Sequence, residues 1–236
     1  MTEQEKNQIL ADAKSFFRRE IVPNHIKNTK KLSNLSEFNV NPFLMKYLAR
    51  FAFGKSDSIS VAKAMLYPRV LGTSITTSFG TQMQYFCKDV LHSYASTTSG
   101  IDIEFIDAVD GRKKYCQVKA GPNTINKDDV TTIKDHFKAI HNLARTNGLS
   151  LQIDDCIVGV LYGSNSSLSS SYKKIDKDYP VIVGKNFWYH LTGDKSFYED
   201  LISTFAEVAD EMDSSALLQE TINKLASAID KSQNDC

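Results

Sequence analysis

The stretch SGIDIEFIDAVDGRKKYCQVKAGP, residues 99–122, decides how this chain is read. GIDIEFID and KKYCQVKA alternate in polarity on either side of Asp110-Gly111, and Asp-Gly between such runs predicts a tight hairpin. A two-residue turn pairs Val109 with Arg112 and, counting outward, Asp102 with Lys119 and Glu104 with Gln117. Side chains alternate across a strand, so Asp102, Glu104, Gln117 and Lys119 share one face. Ile101, Ile103, Phe105, Cys116 and Val118 share the other, which predicts burial. The polar face then gathers two carboxylates, an amide and an ammonium, a set that can hold a divalent cation beside a phosphate.

Hydrolysing a phosphodiester needs a positioned water, neutralised charge on the phosphorus and help for the leaving oxygen. Asp102 is the candidate primary metal ligand, Gln117 and the Val118 carbonyl supply further oxygens, and Lys119 is the electrostatic partner. Glu104 is a second-choice ligand. The plain alternative is an exposed hairpin face of ordinary cross-strand pairs, each contributing about 0.2–1 kcal/mol.

Outward from the hairpin, the pattern predicts helices before it and an α/β arrangement after it. Ile9, Ala13, Phe16 and Phe17 recur at helical spacing over residues 3–20, with Pro23 closing the element. Asn41-Pro42 starts a second helix whose apolar side is Phe43, Leu44, Tyr47, Leu48 and Phe51. Ser58 to Leu66 reads as helix, and residues 79–92 as another that buries Phe79, Met83, Phe86, Val90 and Leu91. Asn126 caps a helix with Asp128 and Asp129 in its first turn and Val130, Ile133, Phe137, Ile140 and Ala144 as its core stripe. Residues 156–162 and 181–183 are apolar runs suited to strands buried on both faces. Residues 164–174 between them read as a polar loop, and helices are expected near 186–192, 197–212 and 214–230.

At 236 residues, 42% hydrophobic and 24% charged, the chain is long enough to fold around a sizeable core. Its 28 basic and 28 acidic residues cancel, so any affinity for nucleic acid must come from local clusters. Lys30-Lys31, Arg112-Lys113-Lys114 and Lys173-Lys174 read first as solvated runs. Cys87, Cys116, Cys156 and Cys236 lack metal-ligand spacing, which points to a reducing compartment. The charged start MTEQEKNQIL shows no signal peptide and no run reaches membrane-spanning length, so a soluble cytoplasmic protein is expected, with no membrane partner.

Asp102, fourteen intervening residues and Gln117-Val118-Lys119 resemble the bipartite PD-(D/E)-x-K signature of restriction-endonuclease-like nucleases. Further segments resemble, in the same order, one group of type II restriction enzymes, which cleaves interrupted palindromes with a GG-N-CC core. They are Asn41-Pro42-Phe43, Pro68-Arg69-Val70-Leu71-Gly72, Gly100-Ile101-Asp102, Lys119-Ala120-Gly121, residues 158–163, residues 184–188 and the acidic helical tail from Phe205. The resemblance covers roughly residues 40–225. It implies a mixed β-sheet core flanked by helices, with a helical N-terminal third, in one nuclease domain over 1–236: a helical region at 1–56 suited to dimerisation and a catalytic α/β core from 57. It further implies a homodimer acting on double-stranded DNA, Mg²⁺ on Asp102, Lys119 assisting hydrolysis, and a cognate DNA methyltransferase as genetic partner. The departure is Gln117, which stands where the pattern carries an acid; Gln82 and Gln84 offer no replacement.

His136 and His141 are five apart and do not share a helix face, so they read as surface histidines, and His190 reads as structural. Arg69 can fork to guanine or phosphate, or form a salt bridge after Pro68. Asn123, Thr124 and Asn126 follow the catalytic strand and can donate to DNA, although Asn126 also suits a helix cap. Ser164 and Asn165 open the polar loop and are further DNA candidates. A structure-specific repair or recombination nuclease of the same superfamily and a non-catalytic DNA-binding protein are the alternatives.

Overall fold

Four strands form one sheet in the order β1-β2-β3-β4: β1 Ile103–Ile106, β2 Lys113–Lys119, β3 Cys156–Val160 and β4 Val181–Val183. The first pair is antiparallel and the other two are parallel, so the sheet is mixed. A computed structural model describes all residues except 83–84, 87–88, 92–93, 212–213 and 235–236. Met83, Gln84, Cys87 and Cys236 therefore lie outside the described residues. The helices are α1 Glu3–Phe16, α2 Val22–Lys31, α3 Pro42–Phe53, α4 Ser58–Pro68, α5 Ile75–Thr81, α6 Lys127–Thr146, α7 Ser170–Ile175, α8 Lys185–Thr192, α9 Phe197–Glu211 and α10 Ser215–Asn234. The chain is thus an α/β protein, a mixed sheet flanked by helices with a helical N-terminal region. Its backbone clusters into two compact units, one of residues 1–16 and 80–206, the other of 17–79 and 207–236.

The first unit is built around β3, all five residues of which are buried. Cys156, Val158 and Val160 turn to one face and pack with Val130, Ile133, Phe137 and Ile140 of α6 and with Tyr172 and Ile175 of α7. On the other face a Cβ at Gly159 would sit 2.2 Å from the Phe187 ring, so only glycine lets α8 approach this closely. Trp188 follows and donates its indole nitrogen to the Leu161 carbonyl at 2.9 Å, giving the buried ring the partner it needs. Phe86, Val90 and Leu91 are buried as expected, and Phe86 meets Phe16 and Trp188 edge-on. Cys116 and Cys156 are fully buried, and burial pushes the Cys156 thiol up to about 12, which leaves it inert.

The hairpin register differs from the expected one. Ile103 pairs with Cys116, Glu104 with Tyr115, Phe105 with Lys114 and Ile106 with Lys113, a slip of two residues. The loop holds four residues instead of two: Asp107 N donates to the Arg112 carbonyl at 2.9 Å and Gly111 N to the Asp107 carbonyl at 2.8 Å. Buried Asp107 accepts from Val109 N at 2.8 Å and bonds His190 of α8 at 2.7 Å, while Ala108 N donates to the His190 carbonyl. Those contacts with α8 anchor the longer loop. An even slip preserves which face each side chain occupies, so Ile103, Phe105, Cys116 and Val118 are buried as expected.

Other expectations need correction. Arg112-Lys113-Lys114 is not a solvated run: Lys114 is 2% exposed and reaches Asp110, Asp155 and the Asp154 carbonyl, while Arg112 forks to Asp155. Pro23 does not close a helix; it lies in the first turn of α2, where its missing N–H costs nothing, after a π-helical turn at Phe17–Ile21. The segment 164–174 is not all loop, because α7 occupies Ser170–Ile175 and buries Tyr172 and Ile175.

In the second unit α2, α3, α4 and α10 enclose a core of Leu32, Ala49, Val61, Ala62, Met65, Leu66, Ile222, Leu225 and Ile229. Asn41 caps α3 and Gly54 ends it in the left-handed conformation, as Asn41-Pro42 predicts for the start. The expected apolar side of α3 is not buried, however. Phe43 is 90% exposed, Phe51 78% and Tyr47 63%, and only Ala49 of this helix is buried.

Candidate active site

Asp102 stands one residue before β1. Cys116 is the ladder partner of Ile103, yet the Asp102 amide also reaches the Cys116 carbonyl at 3.1 Å. Two consecutive residues therefore share one partner, a bulge-like step of the kind that re-aims a side chain. The result is that Asp102 Oδ2 accepts from the Val118 main-chain amide at 2.7 Å. The neighbouring Lys119 carbonyl accepts from Leu161 N on the β3 side at 3.0 Å, so Val118 turns its amide and carbonyl the opposite way, toward Asp102. Asp102 is open to solvent but closely surrounded, and that crowding pushes its carboxyl above the ordinary carboxylate range. The Val118 amide and Lys119 pull it back only in part.

Gln117 is 5% exposed. Its amide nitrogen donates to the Gly100 carbonyl at 2.7 Å and lies 2.8 Å from His136 Nδ1. Gly100 has φ +78°, and a Cβ there would fall 2.6 Å from the His136 ring, so the turn requires glycine on both counts. His136 is the residue that sequence reasoning set aside. Comparing it only with His141 on the same helix hid its approach to a residue nineteen positions earlier on β2.

Glu104 is fully engaged elsewhere. Ser96 and Thr98 donate to its Oε1 at 2.6 and 2.8 Å, and Lys113 pairs with Oε2 at 2.6 Å. Burial alone would raise its carboxyl, but these three donors outweigh burial and hold it below the ordinary range. Lys119 is the last residue of β2; its side chain has no hydrogen bond or ion pair to another described residue and is partly exposed. Gln82 adds no charge, and its buried Oε1 has no hydrogen-bond partner among the described residues.

Beyond Lys119, the segment 120–126 and the one after β3 meet at the C-terminal ends of two parallel strands. Ser169 N donates to the Pro122 carbonyl at 3.0 Å and Tyr172 Oη to the Gly121 carbonyl at 2.9 Å. Asn123 and Asn165 are exposed there, their side chains unbonded among the described residues, and Ser164 bonds within its own turn. Thr124 is held by the Gly121 carbonyl and Tyr172. Asn126 is the helix cap, accepting from Asp128 and Asp129 amides at 2.7 and 3.0 Å. Arg69 belongs to the second unit, where it is exposed, stacks on Phe38 and, among the described residues, makes no salt bridge, donating instead to the Glu37 carbonyl. No helix among the described residues is long and apolar enough to cross a membrane.

Comparison with known families is specific. The family model described as type II restriction endonuclease EcoO109I matches residues 11–213, most of the chain, whereas no curated protein gives a significant match. That span contains Asp102, Gln117 and Lys119 together with the sheet and helices that carry them. The chain belongs to the EcoO109I family of type II restriction endonucleases, and its activity is that of a site-specific deoxyribonuclease.

Proposed function

We propose that Asp102, Gln117, Val118 and Lys119 form the nuclease centre and that the enzyme uses Mg²⁺ to cut duplex DNA at a short interrupted palindrome, of the GG-N-CC class. The carrying observation is the Asp102 carboxylate bonded to the Val118 amide, crowded enough to be under-compensated, with the Lys119 ammonium nearby. Among the described residues no three His, Cys, Asp or Glu side chains converge. The donors at hand are one carboxylate, one amide oxygen and one carbonyl, which suits a hard ion that keeps several waters and takes up phosphate oxygens. When bound, Mg²⁺ would polarise the scissile phosphate and lower the pKa of a water. Asp102 would hold the ion, with Gln117 Oε1 and the Val118 carbonyl as the remaining protein donors, and Lys119 would place its charge beside the phosphate and the attacking water. The water oxygen bonds to phosphorus, the bond to the 3′ oxygen breaks and that oxygen takes a proton, leaving 5′-phosphate and 3′-hydroxyl ends. Glu104 is not needed as a ligand in this scheme.

A palindrome is read most simply by a two-fold dimer, one subunit per strand, with an odd central base pair skipped. The exposed face of α3 supports a second copy as its occupant. At about 150–250 Å² per aromatic ring, Phe43, Tyr47 and Phe51 alone present roughly 500 Å², a large part of the ~800 Å² each partner contributes to a stable interface. Asn123, Thr124, Ser164 and Asn165, at the end of the sheet that carries Lys119, are the proposed DNA contacts, with Asn126 and Arg69 as further candidates. In a cytoplasm holding its own DNA, such an enzyme requires a methyltransferase of matching specificity. Incubating the protein with phage DNA tests the reading: discrete fragments that require Mg²⁺ and map to one interrupted palindrome are expected. Metal-independent cutting, or cutting confined to junctions and flaps, would refute it.

A further inference from the structure

We propose that His136 is a positioning residue that makes Gln117 a neutral ligand by construction, fixing its amide so that Oε1 faces the ion. The Gly100 carbonyl can only accept, so the atom 2.7 Å from it must be the amide nitrogen of Gln117 and not its oxygen. The same nitrogen lies 2.8 Å from His136 Nδ1, and its second hydrogen is satisfied only if Nδ1 carries no proton. His136 is then the tautomer with hydrogen on Nε2. Both amide hydrogens are committed, and Oε1 points away from Gly100 and His136 with no donor reaching it among the described residues. Gly100 completes the device, since any side chain there would strike the imidazole.

Gln117 is therefore not a weakened acid. A glutamate in the same pose would set a carboxylate oxygen against the Gly100 carbonyl, which can only accept, and would force His136 to move its hydrogen to Nδ1. The site accepts an amide and resists the acid that the resembled motif carries. This inference rests on the metal reading above, and the tests separate the two.

Long-range ¹H–¹⁵N correlation on the wild-type protein reads the tautomer directly. Hydrogen on Nε2 of His136 is expected, and hydrogen on Nδ1 would overturn the proposal whether or not the protein cleaves DNA. Calorimetric titration with Mn²⁺ then compares wild type, His136→Ala and His136→Asn. Removing a partner that orients a ligand weakens metal binding by about tenfold or more; His136→Asn, whose Oδ1 can accept from the amide, should recover most of the loss. In a Gln117→Ala background His136→Ala should have no further effect on Mn²⁺, because the group it orients is gone. Equal losses in both backgrounds would indicate a merely structural histidine and overturn the proposal. Gln117→Glu should bind Mn²⁺ no better than wild type; tighter binding would also overturn it. A wild type that binds no Mn²⁺ would remove the metal reading itself, leaving the tautomer to decide the hydrogen bond.

Discussion

The Val118 main-chain amide donates to Asp102 Oδ2 across 2.7 Å, so β2 orients the carboxylate of the residue proposed to bind the ion. Asp102→Asn keeps a side chain of the same shape, and its carbonyl oxygen can accept this bond, but the charge is lost. It should fold like wild type and lose Mg²⁺-dependent cleavage. Asp102→Ala loses the acceptor as well and should cost about 1 kcal/mol more in stability. Thermal melts beside single-turnover cleavage check both; full turnover by Asp102→Asn would assign the ion to other ligands.

Among the described residues nothing bonds the Lys119 side chain, which leaves its ammonium available to substrate. Lys119→Ala should fold normally and bind cognate duplex within a few-fold of wild type, as read by gel shift with Ca²⁺. Its cleavage rate should fall by about 10²–10³, the usual loss when one group stabilising the transition state is removed. An unchanged single-turnover rate would take Lys119 out of the mechanism.

Much of this site was legible from the sequence because strand alternation survives an even slip. The hairpin closes with four residues instead of two, yet Asp102 still bonds the amide of Val118, the neighbour of Lys119 on β2. What could not be read was long-range. The loop is anchored by His190, eighty-three residues after Asp107, and Gln117 is oriented by a histidine on another element. The burial of Lys114 is hidden from the sequence for the same reason, because it depends on Asp155, forty-one residues away. The apolar stripe on α3 was correctly recognised as periodic, but period alone does not say whether a face meets the core or a second chain.

That buried ion cluster should dominate the stability of the hairpin. Asp155 is 3% exposed and takes Arg112 and Lys114 together; burial would raise its carboxyl, but the two cations hold it down. Lys114→Ala leaves Asp155 with one cation and Asp110 with none, and should cost about 3–5 kcal/mol. Urea denaturation would show it, and a loss under about 1 kcal/mol would mean that solvent reaches the cluster.

The exposed rings of α3 give the proposed dimer a specific test. Phe43→Ser with Phe51→Ser removes the two most exposed apolar side chains of that helix, neither of which is in the buried core. The double variant should melt at nearly the wild-type temperature but sediment as a monomer at concentrations where wild type is dimeric. An unchanged dimer would locate the interface elsewhere.

Lys6 joins α1 to Asp194 and Asp200 at 2.6 Å each, which gives the first unit an acid-sensitive clasp. The Lys6 side-chain bond, with help from the Ser196 amide, holds the Asp194 carboxyl down to about 2 from its ordinary 3.8. A carboxylate with a lowered folded-state pKa adds stability above its unfolded value and loses it as pH falls through the folded one. The Asp194 contribution is therefore complete above about pH 5, shrinks between about 4 and 2, and is gone below that. The Lys6 ammonium is raised by the same aspartates, so it stays charged throughout this window and does not offset the loss. Because the pairs are partly exposed, Lys6→Met should cost only about 1 kcal/mol at pH 7. The gap between wild type and variant should stay flat from about pH 5 to 9 and close on acidification. A gap that persists undiminished at pH 2 would show that Lys6 acts through packing of its alkyl chain, with the charge irrelevant.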